Sequence, residues 1–431
     1  MPKLIIPFLL LIPICLFGQE SLSLPEAIEI ALEKNYGIQV ARLEQQAVDA
    51  QVYKANAGMG PFVNWDAGFI AEGNNVNQNF LDGRIVSRFG RSWAPNTSIN
   101  LGWSLYDGGR MQATYEKLGE LSQYSRLEGK LLLQNTITQV MEAYYEVVKQ
   151  KERVIFLNTI IKYYEERLQI TEERWQVGRG SKLDFIQSKT DLNTQLADYA
   201  AAKNEHKNAK VLLNQLLNRS PEEEFTVIVE PIPDQDYDYN ELLTRAKNQN
   251  KELLLVQKAM DISLITEKET EAAKRPSVDF LSALSYSYNN TNAGFILSNR
   301  RVALNAGFSA RWNLYNGNHT RKQIEISKIN TAIISKQQEQ LLHQITSELN
   351  AAFNQFILDK ELLELAQENK ILAEENLSIS LEKFKLGAST ILELNEAQRR
   401  FDTSLNRLVN AQYNVKISEL DLLILSGSLV N

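Results

Sequence analysis

Three acidic side chains define the chemistry open to this 431-residue chain. Glu393 and Glu396 stand three apart on the helix predicted after Gly387, so both carboxylates project from one face. Asp184 lies six residues beyond Gly178, the spacing that separates Glu393 from Gly387. Gathered around an axis, such groups attract cations, repel anions and raise one another's pKa. Taken singly, they are an acidic first helical turn of the kind the macrodipole favours. Catalytic chemistry finds little support. His206, His319 and His343 are scattered without metal-site spacing, and Cys15 is the single cysteine, which leaves no disulfide framework. Gly108-Gly109 and Gly178-Arg179-Gly180 are short turns, and no phosphate loop or nucleophile elbow occurs. The expectation is a protein that is not an enzyme, with no catalytic residue, cofactor or metal. A net charge of −7 without a basic stripe argues against a nucleic-acid partner.

These glycines and acids belong to a larger repetition. Arg174-Trp175-Gln176-Val177-Gly178 returns as Lys383-Phe384-Lys385-Leu386-Gly387, 209 residues later. Trp103-Ser104-Leu105-Tyr106-Asp107-Gly108 matches Trp312-Asn313-Leu314-Tyr315-Asn316-Gly317 at the same shift. Near the start of each copy the shift is 215, because Ala31, Asn35 and Pro61 match Ala246, Asn250 and Pro276. The second copy is thus shorter by six residues between its proline and its tryptophan. Two structural repeats, 19–220 and 239–431, are expected, joined by a linker at 221–238.

The start reads as a secretory signal over residues 1–18: Lys3, an apolar run from Leu4 to Leu16, then Leu16-Phe17-Gly18 as the cleavage context. Cys15 is read as part of that apolar run rather than as a lipid acceptor, because Ile14 before it is bulky. No later stretch is apolar for the ~20 residues a membrane helix needs, so a membrane-spanning form of this chain must use strands.

Prolines leave 96–220 and 277–431 free, and such tracts suit unusually long helices. Arg110 to Gln176 has helical spacing at Val140, Tyr144, Val147, Val148, Val154, Leu157 and Ile161. At 1.5 Å per residue it makes a helix of about 100 Å, roughly three bilayer cores. A turn at Gly178 returns the chain, giving a hairpin over about 109–218; a second, turning at Gly387, covers about 318–425. Each copy opens with a shorter helix, Leu24 to Ala57 and Tyr239 to Lys274.

Between opening helix and hairpin the period changes to two. Val63, Trp65, Ala67, Phe69 and Ala71 alternate with polar or small neighbours, as do Ile99, Leu101, Trp103 and Leu105. The second copy has Val278, Phe280, Leu284, Tyr286 and Tyr288, then Val302 to Leu314. Strands are expected at about 62–72, 97–106, 277–288 and 301–315, with outer loops at about Gly73 to Ala94 and Asn289 to Asn299. Trp103, Tyr106, Trp312 and Tyr315 fall near strand ends, where the interfacial aromatics of a membrane strand belong. Four strands cannot close a barrel, and open edges in lipid leave unpaired amides. The chain must therefore oligomerise, and small polar lumen residues favour the roomier barrel of three copies over that of two.

The ordered recurrence of Leu24-Pro25-Glu26-Ala27-Ile28 with Asn35, of Pro61 and Pro276, of Trp-x-Leu-Tyr-Asp/Asn-Gly, and of Val/Leu-Gly with Asp184 or Glu393, resembles the TolC-like outer membrane efflux protein family. The resemblance covers nearly the whole mature chain. It implies a mainly α fold with a membrane β part: a homotrimer whose twelve-stranded β-barrel, four strands per chain, continues into a long α-helical periplasmic barrel. It implies a cell outer-membrane location, in contact with outer-membrane lipid, and an exit duct for tripartite efflux or type I secretion, served by a periplasmic adaptor (membrane fusion) protein and an inner-membrane transporter. By the same resemblance Asp184, Glu393 and Glu396 lie at the periplasmic aperture. Ser389 occupies the position of a gate-closing arginine, leaving Arg179 to substitute for it. Val177, Gly178, Leu386 and Gly387 are the adaptor-docking candidates, the glycines allowing close backbone approach; a helix-ending glycine is the simpler reading. Apart from the resemblance, a secreted or periplasmic coiled-coil scaffold or adhesin is the competing reading.

Overall fold

The computed structural model describes residues 20–229, 235–293 and 296–429; the expected signal peptide and Cys15 lie outside them. The fold is mainly helical with a small sheet region. Its order is β1 (Glu20–Leu22), α1 (Leu24–Lys34), α2 (Tyr36–Asp49), β2 (Phe62–Asn79), β3 (Ile85–Tyr106), α3 (Arg110–Gln176) and α4 (Lys182–Leu216). Then come β4 (Phe225–Val227), α5 (Tyr239–Gln249), α6 (Lys251–Glu271), a 3₁₀ turn (Ala272–Lys274), β5 (Ser277–Thr291), β6 (Ser298–Arg311), α7 (His319–Lys385) and α8 (Ile391–Leu425). No described helix is long and apolar enough to cross a membrane.

Two compact units divide the chain. Among the described residues, one gathers 20–41, 130–229, 235–251 and 343–429, the other 42–129, 252–293 and 296–342. In the first, Leu157, Ile160, Ile161, Leu377, Leu381, Phe384, Leu394 and Phe401 form one apolar cluster. A second cluster unites Leu22, Ala27, Ala31, Val140, Tyr144, Val147, Leu213 and Phe225. Each large aliphatic side chain so buried contributes about 1.5–3 kcal/mol. The linker expected at 221–238 contains a strand: β4 pairs in parallel with β1, Glu20 opposite Phe225. The Tyr144 hydroxyl lies 3.0 Å from the Leu22 carbonyl and 2.8 Å from that of Ile228, which fastens this ribbon to α3.

The opening helices are not continuous as expected. Each breaks at an asparagine, Asn35 between α1 and α2 and Asn250 between α5 and α6. At Asn35, ψ is 125°, and the side-chain Oδ1 accepts from the Gly37 and Ile38 amides, so one helix ends and the next is capped at a single residue.

The second unit holds a four-stranded antiparallel sheet, ordered β2-β3-β5-β6. Its strands differ from the sequence expectation. β2 continues to Asn79 and β3 begins at Ile85, so most of the loop expected at Gly73 to Ala94 is ladder, with Gly73 opposite Arg91. Pro95 sits inside β3, where the β3–β5 ladder skips Ala94 and Pro95, so the missing proline N–H costs no bond there. The second hairpin's strands reach Thr291 and start at Ser298, while β6 ends at Arg311, so Trp312 and Tyr315 lie just past the strand. The Trp103 and Trp312 indole N–H groups donate to the carbonyls of Met59 and Lys274, both at 3.0 Å.

Candidate functional site: the hairpin tips

Each hairpin tip is a helix stop followed by a helix start. At the first, the Arg179 amide donates to the Arg174 carbonyl and the Gly178 amide to that of Trp175, closing a Schellman turn with Gly178 at φ 75°. At the second, Ala388 and Gly387 donate to Lys383 and Phe384, and Gly387 also has φ 75°. Glycine is thus demanded here by the backbone, whatever approaches from outside. The preceding apolar residues are strongly exposed, Val177 at 67% and Leu386 at 83%.

The following helices start on side-chain caps. Ser181 accepts from the Leu183 amide, and Asp184 is half-buried in the first turn of α4. Thr390 and Glu393 form a reciprocal capping box at α8. Ser389 Oγ adds a hydrogen bond to Glu393 Oε2. Glu396 lies against Arg399 at 2.8 Å and Arg400 at 2.7 Å. These partners counter the expected mutual repulsion within one chain. The Ser389 hydroxyl and then the Thr390 amide hold Glu393 below its ordinary carboxylate range, and Arg400 and then Arg399 do so for Glu396. Ser389 thus meets Glu393 directly. Arg179 is exposed at the other tip, and among the described residues no ion pair joins it to Asp184, Glu393 or Glu396.

Behind the tips stands a polar assembly that motif spacing does not reveal. Arg174 donates to the Phe384 carbonyl and places its guanidinium 4.5 Å from the Phe384 ring, linking α3 to α7. Lys385 bridges Glu166 at 2.5 Å and Glu382 at 2.7 Å. Deeper in, Arg167 is only 1% exposed. It donates to Asn395 Oδ1, to Gln398 Oε1 at 2.7 Å and to Asp191 Oδ2 at 2.5 Å, joining α3, α4 and α8. The neighbouring Tyr164 hydroxyl donates to Asp402 Oδ2 at 3.0 Å. Burial pushes the Asp402 carboxyl up to about 6, against the opposing pull of Tyr164 and Arg167. The available sequence signal is Arg167 itself, three residues past Tyr164 on the stripe of Leu157, Ile160 and Ile161, a charged residue on an apolar face.

Among the described residues, no group of three His, Cys, Asp or Glu side chains is placed to hold a metal ion. His206 is half-buried on α4, and burial, then Lys210, lower its pKa.

The comparisons agree with this architecture. The sequence model of the family described as outer membrane efflux protein matches residues 27–219 and again 242–428. The outer membrane protein TolC of Escherichia coli (strain K12) is 22% identical over 425 residues, which is 96% of this chain and 81% of that protein. Among solved structures, the Campylobacter jejuni CmeC outer membrane channel superposes with a TM-score of 0.78 at 16% identity, covering 95% of this chain and 86% of that one. The outer-membrane channel OprN superposes with a TM-score of 0.76 at 19% identity, covering 94% and 90%. A family of efflux ducts, rather than of enzymes or scaffolds, accounts for both the long hairpins and the sheet, and the chain belongs to the outer membrane efflux protein family.

Proposed function

We propose that this outer-membrane efflux protein is the passive exit duct of a tripartite pump or type I secretion system, assembled from three copies, each made of two structural repeats. The observation that carries the assembly is the open sheet. Among the described residues β2 and β6 each have one unpaired edge, and such edges in lipid require a neighbour. Three copies of the four-stranded sheet give a barrel wide enough for a solvated lumen, where two would leave one filled by side chains. The twice-matched family model and the recurring order of two helices, two strands and a long hairpin support the repeat reading.

A periplasmic adaptor and an inner-membrane transporter complete the pathway. The exposed Val177, Leu183, Leu386 and Leu392 at the tips support docking there, being apolar groups that a partner can cover. Asp184, Glu393 and Glu396 line the aperture in this reading. Outer-membrane fractionation with a heat-modifiable trimer on native gels tests the assembly; a monomer that stays in the soluble fraction defeats it. Single-channel recording tests the aperture: Glu393→Ala with Glu396→Ala lowers cation selectivity, and unchanged selectivity removes these residues from it.

A further inference from the structure

The two faces of the sheet differ sharply in charge. The register places Val63, Trp65, Phe69, Phe89, Arg91, Trp93, Ile99, Leu101 and Trp103 on one face of β2 and β3. Across the ladder, Phe280, Leu284, Tyr286 and Tyr288 of β5 and Arg300, Val302, Leu304 and Phe308 of β6 share it. Among the described residues, no strand residue on this apolar face is acidic, and its only charged strand residues are Arg91 and Arg300. Asp66, Glu72, Arg88, Asp279, Arg301 and Arg311 all fall on the opposite face.

Both arginines also sit towards one end. From Trp103 to Trp93 the apolar face runs ten residues along β3, about 34 Å, which strand tilt reduces to the ~25 Å height of an outer-membrane apolar band. Arg91 lies just beyond Trp93, towards the β2–β3 turn. Arg300 is directly opposite Tyr288, near the same end. The side chains confirm the common face: Arg91 covers the Phe89 ring at 5.8 Å, Arg300 the Tyr288 ring at 6.0 Å, and Trp93 meets Tyr288 at 5.0 Å. Both arginines are exposed, and among the described residues neither has a carboxylate partner. A guanidinium lying over an aromatic ring keeps its in-plane N–H groups available, and two such forks match phosphate oxygens. At the opposite end of this face Trp103 and Trp312 bond backbone carbonyls through their indole N–H groups.

We propose that Arg91 and Arg300, framed by Phe89, Trp93 and Tyr288, bind the phosphate-bearing headgroup of an outer-leaflet lipid. The inference rests on the reading that the apolar face meets lipid. Charge complementarity selects the occupant: a cationic pair in an aromatic girdle at the level of headgroups, with no acid on the face to repel an anion.

The test uses the full-length protein in nonionic detergent, titrated with bisphosphorylated lipid A or its dephosphorylated form, with bound lipid counted by native mass spectrometry. The wild type binds the phosphorylated lipid about tenfold more tightly, the worth of one charge-assisted contact or more. Arg91→Gln with Arg300→Gln abolishes the preference, while Arg301→Gln, one residue away on the other face, retains it. Equal affinity for both lipids, a preference surviving in the double variant, or displacement by excess inorganic phosphate each overturns the proposal. Protease protection of the sheet in neutral phosphatidylcholine vesicles checks the underlying reading separately. An unprotected sheet defeats the barrel and the lipid site with it, whereas a protected sheet without phosphate preference defeats the lipid site alone.

Discussion

Asn35 donates from Nδ2 to the Leu216 carbonyl at 3.1 Å, tying the α1–α2 joint to the last turn of α4. Asn250 makes the corresponding contact with Leu425, also at 3.1 Å. One side chain thus caps a helix start with its oxygen and a helix end with its nitrogen. Asn35→Ala removes both and is expected to cost about 2–3 kcal/mol, a cap plus a hydrogen bond. Asn35→Asp keeps the accepting oxygen and loses the donor, for about half that loss. Denaturant unfolding gives the ranking, and equal losses would remove the second contact from the account.

The tip glycines separate backbone demand from partner demand. A Cβ at Gly178 meets nothing within 4 Å, so only the left-handed φ opposes substitution there. Gly178→Ala should cost about 1–2 kcal/mol and Gly178→Asn less, since asparagine visits this region more readily. With the trimer retained on native gels, Gly178→Trp is expected to lose export and Gly178→Asn to keep most of it. Full export by the tryptophan variant would argue that no partner approaches this turn closely.

Arg399 and Arg400 offset the charge of Glu396. Replacing both by Gln should therefore increase cation preference in single-channel recordings, opposite in sign to the double glutamate replacement. Both glutamates are depressed below 4.5, so their stabilising contacts are complete above that pH and are lost as pH falls through the lowered values. Cation preference should accordingly persist at pH 4.5; a midpoint above it would mean that repulsion between chains dominates.

Asp402 titrates in the opposite sense. Its folded value of about 6 exceeds the ordinary 3.8, so between these pH values the folded chain holds a proton that the unfolded chain has released. Stability of the first unit should fall as pH rises from about 4 to about 6. Asp402→Asn should flatten that dependence while keeping an acceptor for Tyr164. Urea unfolding across the range measures it, and an unchanged slope in the variant would place the titrating group elsewhere. Arg167→Ala should cost about 3–5 kcal/mol, because it strands the polar groups that the buried guanidinium now satisfies.

The long helices were legible because Arg110 to Gln176 combines helical spacing with freedom from proline. Their ends were legible because Gly178 and Gly387 follow the last turns. Breaks at Asn35 and Asn250 were not, since the apolar spacing continues across them and the Nδ2 contact that anchors each asparagine reaches a helix end about 180 residues away. Gly73 to Asn79 reads as a loop because its asparagines lack the apolar alternation, yet the ladder opposite Ile85 to Arg91 extends through it. β1 and β4, three residues each, are too short for any period. At the tips, Glu393, Glu396 and Asp184 were visible from their spacing to glycine. Arg174 and Arg167 were hidden because their meaning depends on Phe384, Asn395, Gln398 and Asp191, which only the packing of separate helices brings near.

Confining the apolar face's charges to one end has a mechanical result. Pulling the sheet inward would drag Arg91 and Arg300 into hydrocarbon, at a cost of about 2–4 kcal/mol for each arginine reaching the midplane. In the proposed barrel the two side chains would therefore act as a stop, resisting at the membrane's outer surface a load applied along the duct.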